Sequence, residues 1–258
     1  MKLNVRQQTA QQLNDNPAIV LIHGLFGSLD NLGVLARDLV QHYNLLQIDL
    51  RNHGLSPRSE EMSYRGMAAD VLEAMDEAGI NRAIIIGHSM GGKVAMALTA
   101  LAADRVEKLV IIDIAPVAYD VHRHQAIFRA LNAVTKVGVT TRQQATEIMQ
   151  RDIDEPGVIQ FLLKSFSQGS WKFNVPVLEA QYNTILGWEP VPSWAHPVLF
   201  ISGSNSPYIE ERHRQILLQQ FPYARAWVVN GAGHWVHAEK PEAVLRAIYR
   251  FLKDDRAH

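Results

Sequence analysis

The chain has 258 residues, of which 47% are apolar, and its formal net charge is −1 at neutral pH. This length and apolar content suffice for one large α/β domain or a domain carrying an insertion, and the near-neutral charge argues against a nucleic-acid or membrane-surface partner. The lack of cysteine excludes disulfides and cysteine-bound metals, and neither a secretory signal nor a bilayer-spanning apolar run is visible, so a cytoplasmic location is expected.

Apolar, β-rich runs alternate with helical patterns along the first half of the chain. Residues 2–13 favour antiparallel edge strands. Four buried strands are predicted after them, at residues 18–22, 45–50, 83–86 and 109–114. Three helices are predicted between these strands, at residues 31–41, 67–78 and 92–102. Continuous apolar strands separated by helices are typical of a mostly parallel sheet with helices on both faces, which is an α/β fold.

The alternation stops after Pro116 and resumes only at Pro197. Because a structureless loop of this length is unusual in a compact domain, residues 117–196 are interpreted as a helical cap inserted between two strands of the sheet. Four helices are predicted in the cap, at residues 126–134, 141–151, 158–166 and 177–186. Two strands at 198–202 and 226–230 and a helix at 241–252 then complete the core domain, which comprises residues 1–116 and 197–258.

The stretch Gly87-His88-Ser89-Met90-Gly91 carries the strongest functional signal. It stands between a buried apolar run and a helical run, and a serine flanked by glycines in that setting is the pattern of a nucleophile elbow. Such a sharp turn holds the serine hydroxyl clear of the backbone, and the diverging strand and helix leave no room for side chains at the flanks. Ser89 is therefore the predicted nucleophile.

A nucleophilic serine needs backbone donors for the oxyanion that its attack creates. The N–H of Met90, at the start of the following helix, is the first predicted donor. The second donor must come from a neighbouring loop, and His23-Gly24-Leu25-Phe26-Gly27 directly follows the first buried strand. The N–H of Leu25 is the predicted second donor, with that of Phe26 as the alternative.

The base for Ser89 should be an imidazole on a loop that returns to the same edge of the sheet. His234 fits this position, because it follows the last predicted strand and a glycine-containing turn. His237 is the competing candidate. His23 and His88 are expected to be structural residues or to line the site.

The acid that orients the base is missing from the place where many enzymes of this shape carry it. Ser206 occupies that place after the penultimate strand, and a serine cannot supply the negative charge that stabilises an imidazolium. Asp113 ends the neighbouring strand at the same edge and is the predicted third member of the site. Ser206 is then a fourth member that hydrogen-bonds Asp113 or His234. Glu210 and Glu211 are weaker alternatives for the acid.

The turn from Asp49 to Ser56 is expected to be structural, since buried charges at the base of a loop usually pair and hold it rigid. His122 and His124 lie two positions apart without a carboxylate at ligand spacing, so no metal is predicted. No cofactor is predicted either, because no glycine-rich dinucleotide motif follows the first buried strand.

The cap contains aromatic side chains that either line an acyl crevice or pack the cap helices against the core. These are Phe128, Phe161, Phe166, Trp171, Tyr182 and Trp188. Packing is the favoured interpretation for most of them. Arg123 and Arg129 either meet the phosphates of a CoA-like group or face solvent, and solvation is the favoured interpretation.

With these motifs in this order, the chain resembles the α/β-hydrolase superfamily. The resemblance rests on His23-Gly24, the turn from Asp49 to Ser56, the elbow at Ser89 and Gly233-His234, and it extends over nearly the whole chain. The order of Ser, Asp and His along the chain also matches that superfamily.

Four segments are similar, more narrowly, to bacterial YbfF-type esterases, and they lie at residues 23–28, 51–54, 87–93 and 113–116. This resemblance implies an α/β-hydrolase fold with a helical cap. It also implies a Ser-His-Asp-Ser tetrad, formed here by Ser89, His234, Asp113 and Ser206. Esters including long acyl-CoA thioesters are the substrates that the resemblance implies, and the residue chemistry does not by itself lead to them.

The expected activity is that of a serine esterase that hydrolyses carboxylic esters or acyl thioesters through an acyl-enzyme on Ser89. The expected partner is therefore a small-molecule ester or thioester. Two alternatives stay open, namely a C–C bond hydrolase or lyase on the same capped fold and a non-catalytic small-molecule binding protein. Haloalkane and epoxide hydrolases are disfavoured, because their chemistry uses a carboxylate where Ser89 stands.

Overall fold

A seven-stranded sheet forms the centre of the computed structural model, which describes residues 1–253. Its strands are β1 (Val5–Gln8), β2 (Ala18–Ile22), β3 (Leu45–Ile48), β4 (Ala83–His88), β5 (Val106–Ile112), β8 (Val198–Gly203) and β9 (Ala224–Val229). Their order across the sheet is β1-β3-β2-β4-β5-β8-β9. Within this sheet β1 pairs antiparallel with β3 and the remaining pairs are parallel. The predicted, mostly parallel α/β sheet is confirmed.

Helices cover both faces of the sheet and the edge where its parallel strands end. They are α1 (Gly33–Leu39), α2 (Tyr64–Glu77), α3 (Met90–Leu101), α4 (Gln125–Val137), α5 (Arg142–Met149), α6 (Pro156–Leu163), α7 (Val175–Ala180), α8 (Tyr182–Leu186), α9 (Arg214–Gln220), α10 (Val236–Glu239) and α11 (Pro241–Leu252). Short 3₁₀ turns span Ala103–Arg105 and Glu211–His213. Of the helices in the described chain, none combines the length and apolar character needed to cross a membrane.

Alternation along the central strands divides the core in two. In β2, Ile19 and Leu21 join the apolar cluster under α1 and α11, whereas Val20 and Ile22 join the cluster under α2 and α3. Both sets are buried because successive strand residues point to opposite faces of a sheet that is covered on each side. This explains why the central strands read as unbroken apolar runs.

The sequence-based boundaries of the sheet and its helices agree with the structure to within a few residues. The strand predicted at 18–22 and the helix predicted at 241–252 match β2 and α11 at both ends. The helix predicted at 31–41 is shorter, because α1 begins only at Gly33 and ends at Leu39. Residues 2–13 supply a single edge strand, β1.

Residues 117–196, called the helical insertion below, lie between β5 and β8 and contain α4 to α8. The helix predicted at 177–186 is two helices, since the chain breaks at Gln181 between α7 and α8. The helix predicted at 158–166 ends earlier, at Leu163. Phe166 instead starts a hairpin of β6 (Phe166–Ser167) and β7 (Ser170–Trp171), which turns through positive φ at Gln168 and Gly169. The division into a core and a cap domain stays a prediction.

The helical insertion covers the edge of the sheet where the parallel strands end. The Phe26 ring, just after β2, packs 5.4 Å from that of Phe128 on α4 and 5.1 Å from that of Phe173. The Trp235 ring, after β9, lies 5.0 Å from that of Phe161 on α6. Ligands of open parallel sheets bind at this edge, so the insertion covers the region where a binding site is expected.

Candidate active site

Ser89 occupies a strained turn between β4 and α3. Its backbone angles are φ 55° and ψ −123°, a conformation that is rare for a residue with a side chain. Neighbouring glycines make the turn possible: a Cβ on Gly87 would collide with the backbone of Gly91, and one on Gly91 with the backbone of His23. The predicted elbow geometry is thus present, with the hydroxyl at the carboxyl edge of the sheet.

His234 brings its imidazole to the Ser89 hydroxyl from the loop between β9 and α10. Its Nε2 lies 2.9 Å from Ser89 Oγ, and its Nδ1 lies 2.6 Å from Asp113 Oδ2. The Asp113 side chain is fully buried, whereas that of His234 is 23% exposed. The structure therefore brings the predicted nucleophile, base and acid into one hydrogen-bonded line.

Asp113 is held rigidly where β5 ends. Its backbone has φ 58°, and its N–H donates to the carbonyl of Ile201 at 2.7 Å. The Gly203 N–H donates to Oδ1 at 3.1 Å, and the Ser206 hydroxyl donates to Oδ2, the oxygen that also meets His234. Of the two partners predicted for Ser206, the structure places it on Asp113.

The two alternative acids, Glu210 and Glu211, form ion pairs with arginines and not with His234. Glu210 pairs with Arg212 at 2.8 Å, and Glu211 pairs with Arg214 at 3.6 Å. The exposed Glu210 carboxylate also caps the 3₁₀ turn that follows it. The proximity of Asp113 to His234 therefore favours Asp113 over both glutamates.

The predicted oxyanion donors differ in their availability. The N–H of Phe26 donates to His53 Nε2 at 3.1 Å, so it is already engaged. Within residues 1–253 the N–H groups of Leu25 and Met90 donate to no protein acceptor. These two groups, one from the β2 loop and one from the start of α3, remain free to bind an oxygen of a substrate.

Two buried histidines brace the loop that carries Leu25. His23 bonds the Gly24 carbonyl through Nδ1 at 2.7 Å and accepts the Leu50 N–H on Nε2 at 3.0 Å. His53 bonds the Arg51 carbonyl through Nδ1 at 2.9 Å. Burial lowers the pKa of His23 to about 4 and that of His53 to about 3, so each ring is neutral and keeps one nitrogen as an acceptor.

His88 and His237 line the site beside the predicted base. His88 Nε2 bonds the backbone carbonyl of His234 at 2.8 Å, and its ring lies 4.4 Å from that of His237. Burial, reinforced by the neighbouring histidines, lowers the pKa of His88 well below its usual value. Burial also lowers that of His237 to about 3. It is His234 that contacts Ser89, so the geometry favours His234 over His237 as the base.

The Asp49-to-Ser56 turn is built around a buried carboxylate. Asp49 accepts the N–H groups of Leu29 at 2.7 Å and Leu55 at 3.0 Å, and Gly54 leaves room for it because a Cβ there would overlap the carboxylate. Arg51 pairs with Asp70 on α2 at 2.7 Å, outside the turn. The turn is therefore held mainly by hydrogen bonds to Asp49.

The space beside Ser89 is a partly enclosed cavity of about 40 Å³, and the helical insertion forms one of its walls. The polar side of its wall contains Asn31, His88, His124 and His237, and the apolar side contains Leu25, Ile127, Val158, Phe161, Leu162 and Trp235. Of the aromatic residues predicted either to line a crevice or to pack, Phe161 lines this cavity. Phe166 and Trp171 pack on each other, with ring centroids 4.8 Å apart.

Tyr208 and Arg123 form a stack on the predicted base that was not anticipated. The Tyr208 ring stacks on that of His234, with centroids 4.1 Å apart and the ring planes inclined by 25°. The Arg123 guanidinium lies 5.1 Å from the centroid of the Tyr208 ring. For Arg123 the predicted alternatives are a phosphate contact and solvent exposure, with solvent exposure favoured, whereas the structure places it half-buried against Tyr208. Arg129, by contrast, is 62% exposed and pairs with Asp152. Tyr208 follows Ser206 by two residues, but no pattern in the sequence indicates that its ring stacks on His234.

Across the described chain, no three histidine, aspartate or glutamate side chains are grouped so that they could hold a metal ion. His124 Nδ1 is instead hydrogen-bonded to the Tyr182 hydroxyl. The chemistry that the arrangement supports is therefore that of its serine, imidazole and carboxylate groups, with the free backbone N–H groups as electrostatic partners.

Comparison with known proteins is consistent with this geometry. The family model described as alpha/beta hydrolase fold matches residues 17–241. Esterase YbfF of Escherichia coli is 63% identical, covering 98% of this chain and all of that protein. The mouse sn-1-specific diacylglycerol lipase ABHD11 is 36% identical, covering 92% of this chain and 80% of that protein. A solved structure described as a marine microorganism esterase superposes with a TM-score of 0.91 at 33% identity, covering 97% of this chain and 99% of that one.

Proposed function

The chain belongs to the α/β-hydrolase fold family, among the YbfF-type esterases, and is a carboxylic ester hydrolase; from this premise we propose that it acts through an acyl-enzyme on Ser89. The observation that carries the proposal is the hydrogen-bonded line from Ser89 through His234 to Asp113. A serine hydroxyl is a weak nucleophile until an adjacent base takes its proton, and this line supplies such a base.

In the first half of the reaction, Ser89 Oγ attacks the ester carbonyl while its proton passes to His234 Nε2. The N–H groups of Leu25 and Met90 hold the oxyanion of the tetrahedral intermediate. The intermediate collapses, the bond to the leaving group breaks, and His234 gives its proton to the departing oxygen or sulfur. Asp113 stabilises the imidazolium that exists between these two proton transfers.

In the second half, His234 takes a proton from water, and the resulting hydroxide attacks the acyl carbon on Ser89. The same N–H groups hold the second oxyanion. Collapse of this intermediate breaks the acyl–Oγ bond, and the proton on His234 returns to Ser89. The products are a carboxylic acid and the regenerated serine, with no cofactor consumed.

The helical insertion acts as a cap that selects the acyl group. Support comes from the cavity, whose insertion-facing wall is formed by apolar side chains of α4 and α6 such as Ile127 and Phe161. A cavity of about 40 Å³ is smaller than the pockets of roughly 300 Å³ or more that hold small-molecule ligands. We therefore expect the cap to move when a large ester binds, so that its apolar wall meets the acyl chain.

Acyl-CoA thioesters are the finer substrate class that we propose. Arg123 supports this extension, because its half-buried guanidinium lies close to the Tyr208 ring and forms no ion pair with any carboxylate in residues 1–253. An unpaired guanidinium at the margin of a site is suited to a phosphate-bearing leaving group. A cytoplasmic setting, where such thioesters occur, is assumed by this extension and stays a prediction.

The proposed acyl-enzyme is tested by turnover of p-nitrophenyl esters from acetate to decanoate, with the wild type beside Ser89→Ala. We expect the wild type to hydrolyse at least part of the series and the variant to lose at least about 10⁴-fold in kcat. Equal turnover by both proteins would contradict the acyl-enzyme. Turnover of a β-diketone without turnover of any ester would favour C–C bond hydrolysis instead.

The thioester extension is tested by comparing an acyl-CoA with the same acyl group on N-acetylcysteamine, which lacks the phosphates. We expect Arg123→Met to raise the KM for the acyl-CoA by about tenfold and to leave the truncated thioester unchanged. Arg129→Met is the matched control, since that side chain is exposed and paired with Asp152. Equal effects of Arg123→Met on both thioesters would remove the support for CoA recognition.

A further inference from the structure

Lys93 is a buried cation that the proposed chemistry does not use. It lies on α3, one helical turn after Ser89, and is 1% exposed. Among residues 1–253 no carboxylate pairs with it. A lysine is almost never fully buried without a charged partner, because removing an ammonium group from water is costly. Its position therefore calls for a specific explanation.

The Lys93 ammonium group binds the end of the helical insertion. Its Nζ donates to the backbone carbonyls of Leu186 at 3.1 Å and Gly187 at 3.0 Å, where α8 ends. Three aromatic rings surround the same nitrogen, with centroids at 4.9 Å for Tyr119, 5.5 Å for Tyr64 and 5.9 Å for Trp188. Carbonyls at a helix C-terminus and aromatic faces both attract a positive charge.

Both connections between the core and the insertion meet at this point. Tyr119 belongs to the segment that leads into the insertion, and Leu186 and Gly187 begin the segment that leads out. The N–H of Tyr119 donates to the same Leu186 carbonyl at 2.9 Å, which joins the two segments directly. Lys93 thus fastens these two connecting segments, here called the crossings, to α3, the helix that starts at the nucleophile.

The same crossing is linked to the predicted base. The Tyr119 hydroxyl donates to the backbone carbonyl of Tyr208, whose ring stacks on His234. On α2, the Tyr64 hydroxyl donates to the Ile185 carbonyl and fixes the last turn of α8 from the other side. Movement of these connecting segments would consequently change the position of the insertion and also that of the Tyr208 ring on His234.

We propose that Lys93 is a positioning residue that fastens both crossings of the helical insertion to the nucleophile helix and thereby sets how far the insertion opens for large acyl groups. The inference rests on the proposed function in one respect, namely that the insertion acts as a cap over the acyl group. In this role Lys93 touches neither the substrate nor the reacting atoms.

The charge state of Lys93 should control this fastening. Both the neutral amine and the ammonium can donate to the two carbonyls, but the ammonium must also give up the water that hydrates its charge, which the aromatic faces replace only in part. The titratable groups that face it are the phenols of Tyr64 and Tyr119, and burial raises the pKa of both. Arg65 and Glu189 line a neighbouring groove of about 590 Å³.

Burial lowers the pKa of Lys93 to about 7 from its ordinary value of 10.5. If opening of the insertion exposes Lys93 to water, its pKa rises toward the ordinary value in the open form. A proton then binds the open form more tightly than the closed form, so acid favours opening. The closed form should accordingly gain population as the pH rises from about 7 toward 10.5.

The test is the ratio of kcat/KM for p-nitrophenyl octanoate to that for the acetate, measured between pH 5.5 and pH 9. Any ionisation that affects both esters equally cancels in the ratio. In the wild type we expect the ratio to fall by at least about fivefold as the pH rises from about 7 to 9. In Lys93→Met we expect no such step, and in the permanently charged Lys93→Arg the ratio should stay high throughout.

Lys108→Met is the matched control. Lys108 Nζ also meets a backbone carbonyl, that of Leu252, and an aromatic ring, that of Phe251, but on the side of the core remote from the insertion. This variant should retain the wild-type step. A flat wild-type ratio, or a step that survives in Lys93→Met, would overturn the role of Lys93. Turnover that persisted in Ser89→Ala would instead overturn the proposed function.

A second measurement does not depend on any variant. Hydrogen exchange of wild-type residues 182–192, corrected for the intrinsic effect of pH, should show about fivefold more protection at pH 8 than at pH 6. Residues 241–252 of α11 serve as the internal reference. Unchanged protection of the crossing between the two pH values would contradict the proposal.

Discussion

The Ser206 hydroxyl donates to Asp113 Oδ2, the carboxylate oxygen that also meets His234 Nδ1. The other oxygen, Oδ1, accepts the Gly203 N–H. Asp113 is thus held by two donors, one at the end of β8 and one in the loop after it, while it faces the imidazole. A buried carboxylate needs such donors, because an ionised group without partners would be strongly destabilised inside the protein. Ser206 therefore supports the charge of Asp113 and supplies none of its own.

Ser206→Ala should lower kcat by about tenfold without abolishing turnover. The carboxylate keeps its bond to Gly203 and its contact with His234, but it loses a hydrogen bond to a charged group, worth about 1.5–3 kcal/mol. Steady-state kinetics on p-nitrophenyl acetate provide the measurement. Ser206→Thr, which keeps the hydroxyl, should recover most of the rate. A loss as large as that of Ser89→Ala would show that Ser206 takes part directly.

Asp113→Asn should reduce kcat far more, by about 10⁴-fold, with little change in fold. The amide cannot stabilise the imidazolium, and its NH₂ group favours the wrong tautomer of His234. The rate should be measured together with the far-UV circular dichroism spectrum, so that unfolding is recognised. Asp120→Asn is the control, since Asp120 is an exposed carboxylate in the segment that follows. A loss below tenfold would argue against Asp113 as the orienting acid.

His53→Phe should lower kcat by between about tenfold and about 100-fold while leaving KM nearly unchanged. An aromatic ring is retained, but the N–H of Phe26 loses its acceptor, so the loop that carries Leu25 is held less firmly. Oxyanion contacts form mainly in the transition state, so their weakening appears in kcat. His42→Phe, away from the site, should have no such effect. A rise in KM alone would mean that the loop serves substrate binding.

The sequence was sufficient for those parts of the site that depend on short segments. Ser89 lies in a contiguous strand–turn–helix pattern, and His234 lies directly after a glycine-containing turn. Asp113 required a further step, namely that neighbouring parallel strands end at the same edge of the sheet. Each of these inferences uses backbone geometry that local sequence determines. The structure places the His234 imidazole within hydrogen-bond distance of both Ser89 and Asp113.

The residues that could not be predicted depend on distant contacts. His53 meets Phe26 across 27 positions, and Lys93 meets Leu186 across 93. A lysine on a helix ordinarily reads as a surface residue, and only the packing of the insertion buries this one. The stack of Tyr208 on His234 likewise depends on the conformations of two separate loops, which no period or spacing in the sequence determines.

Acid should destabilise the fold through its buried histidines. Burial lowers the pKa of His23 to about 4 and that of His53 and His237 to about 3, from 6.5. Between pH 6.5 and about 4 the unfolded chain binds protons that the folded chain excludes, so the free energy of unfolding falls as the pH falls. Each group contributes up to about 1.4 kcal/mol per pH unit in this window.

Urea denaturation at pH 7 and pH 5.5 measures this effect directly. The free energy of unfolding should be lower at pH 5.5 by a few kcal/mol, since about 1 kcal/mol is lost for each such histidine over this interval. His237→Phe should show a smaller difference between the two pH values than the wild type, because one of these groups is gone. Equal free energies at both pH values would mean that the rings become solvated without unfolding.

Phe161→Ala should shift the preference of the enzyme toward longer acyl chains. The Phe161 ring forms part of the cavity wall beside Ser89 and packs against Trp235, so its removal enlarges the space available to an acyl chain. We expect kcat/KM for the octanoate ester to rise at least about threefold relative to the acetate ester, since each additional buried methylene contributes about 0.8 kcal/mol. The ratio should be measured at one pH, so that titration does not contribute to it.

Phe166→Ala is the matched control for this change. Phe166 is buried in the insertion against Trp171 and is not part of the cavity wall, so its truncation removes the same number of atoms without widening the site. It should lower the free energy of unfolding by about 3–5 kcal/mol and leave the ratio of the two esters unchanged. If both variants shifted the ratio equally, chain-length preference would follow from the general stability of the insertion. A shift confined to Phe161→Ala would locate it in the wall that faces Ser89.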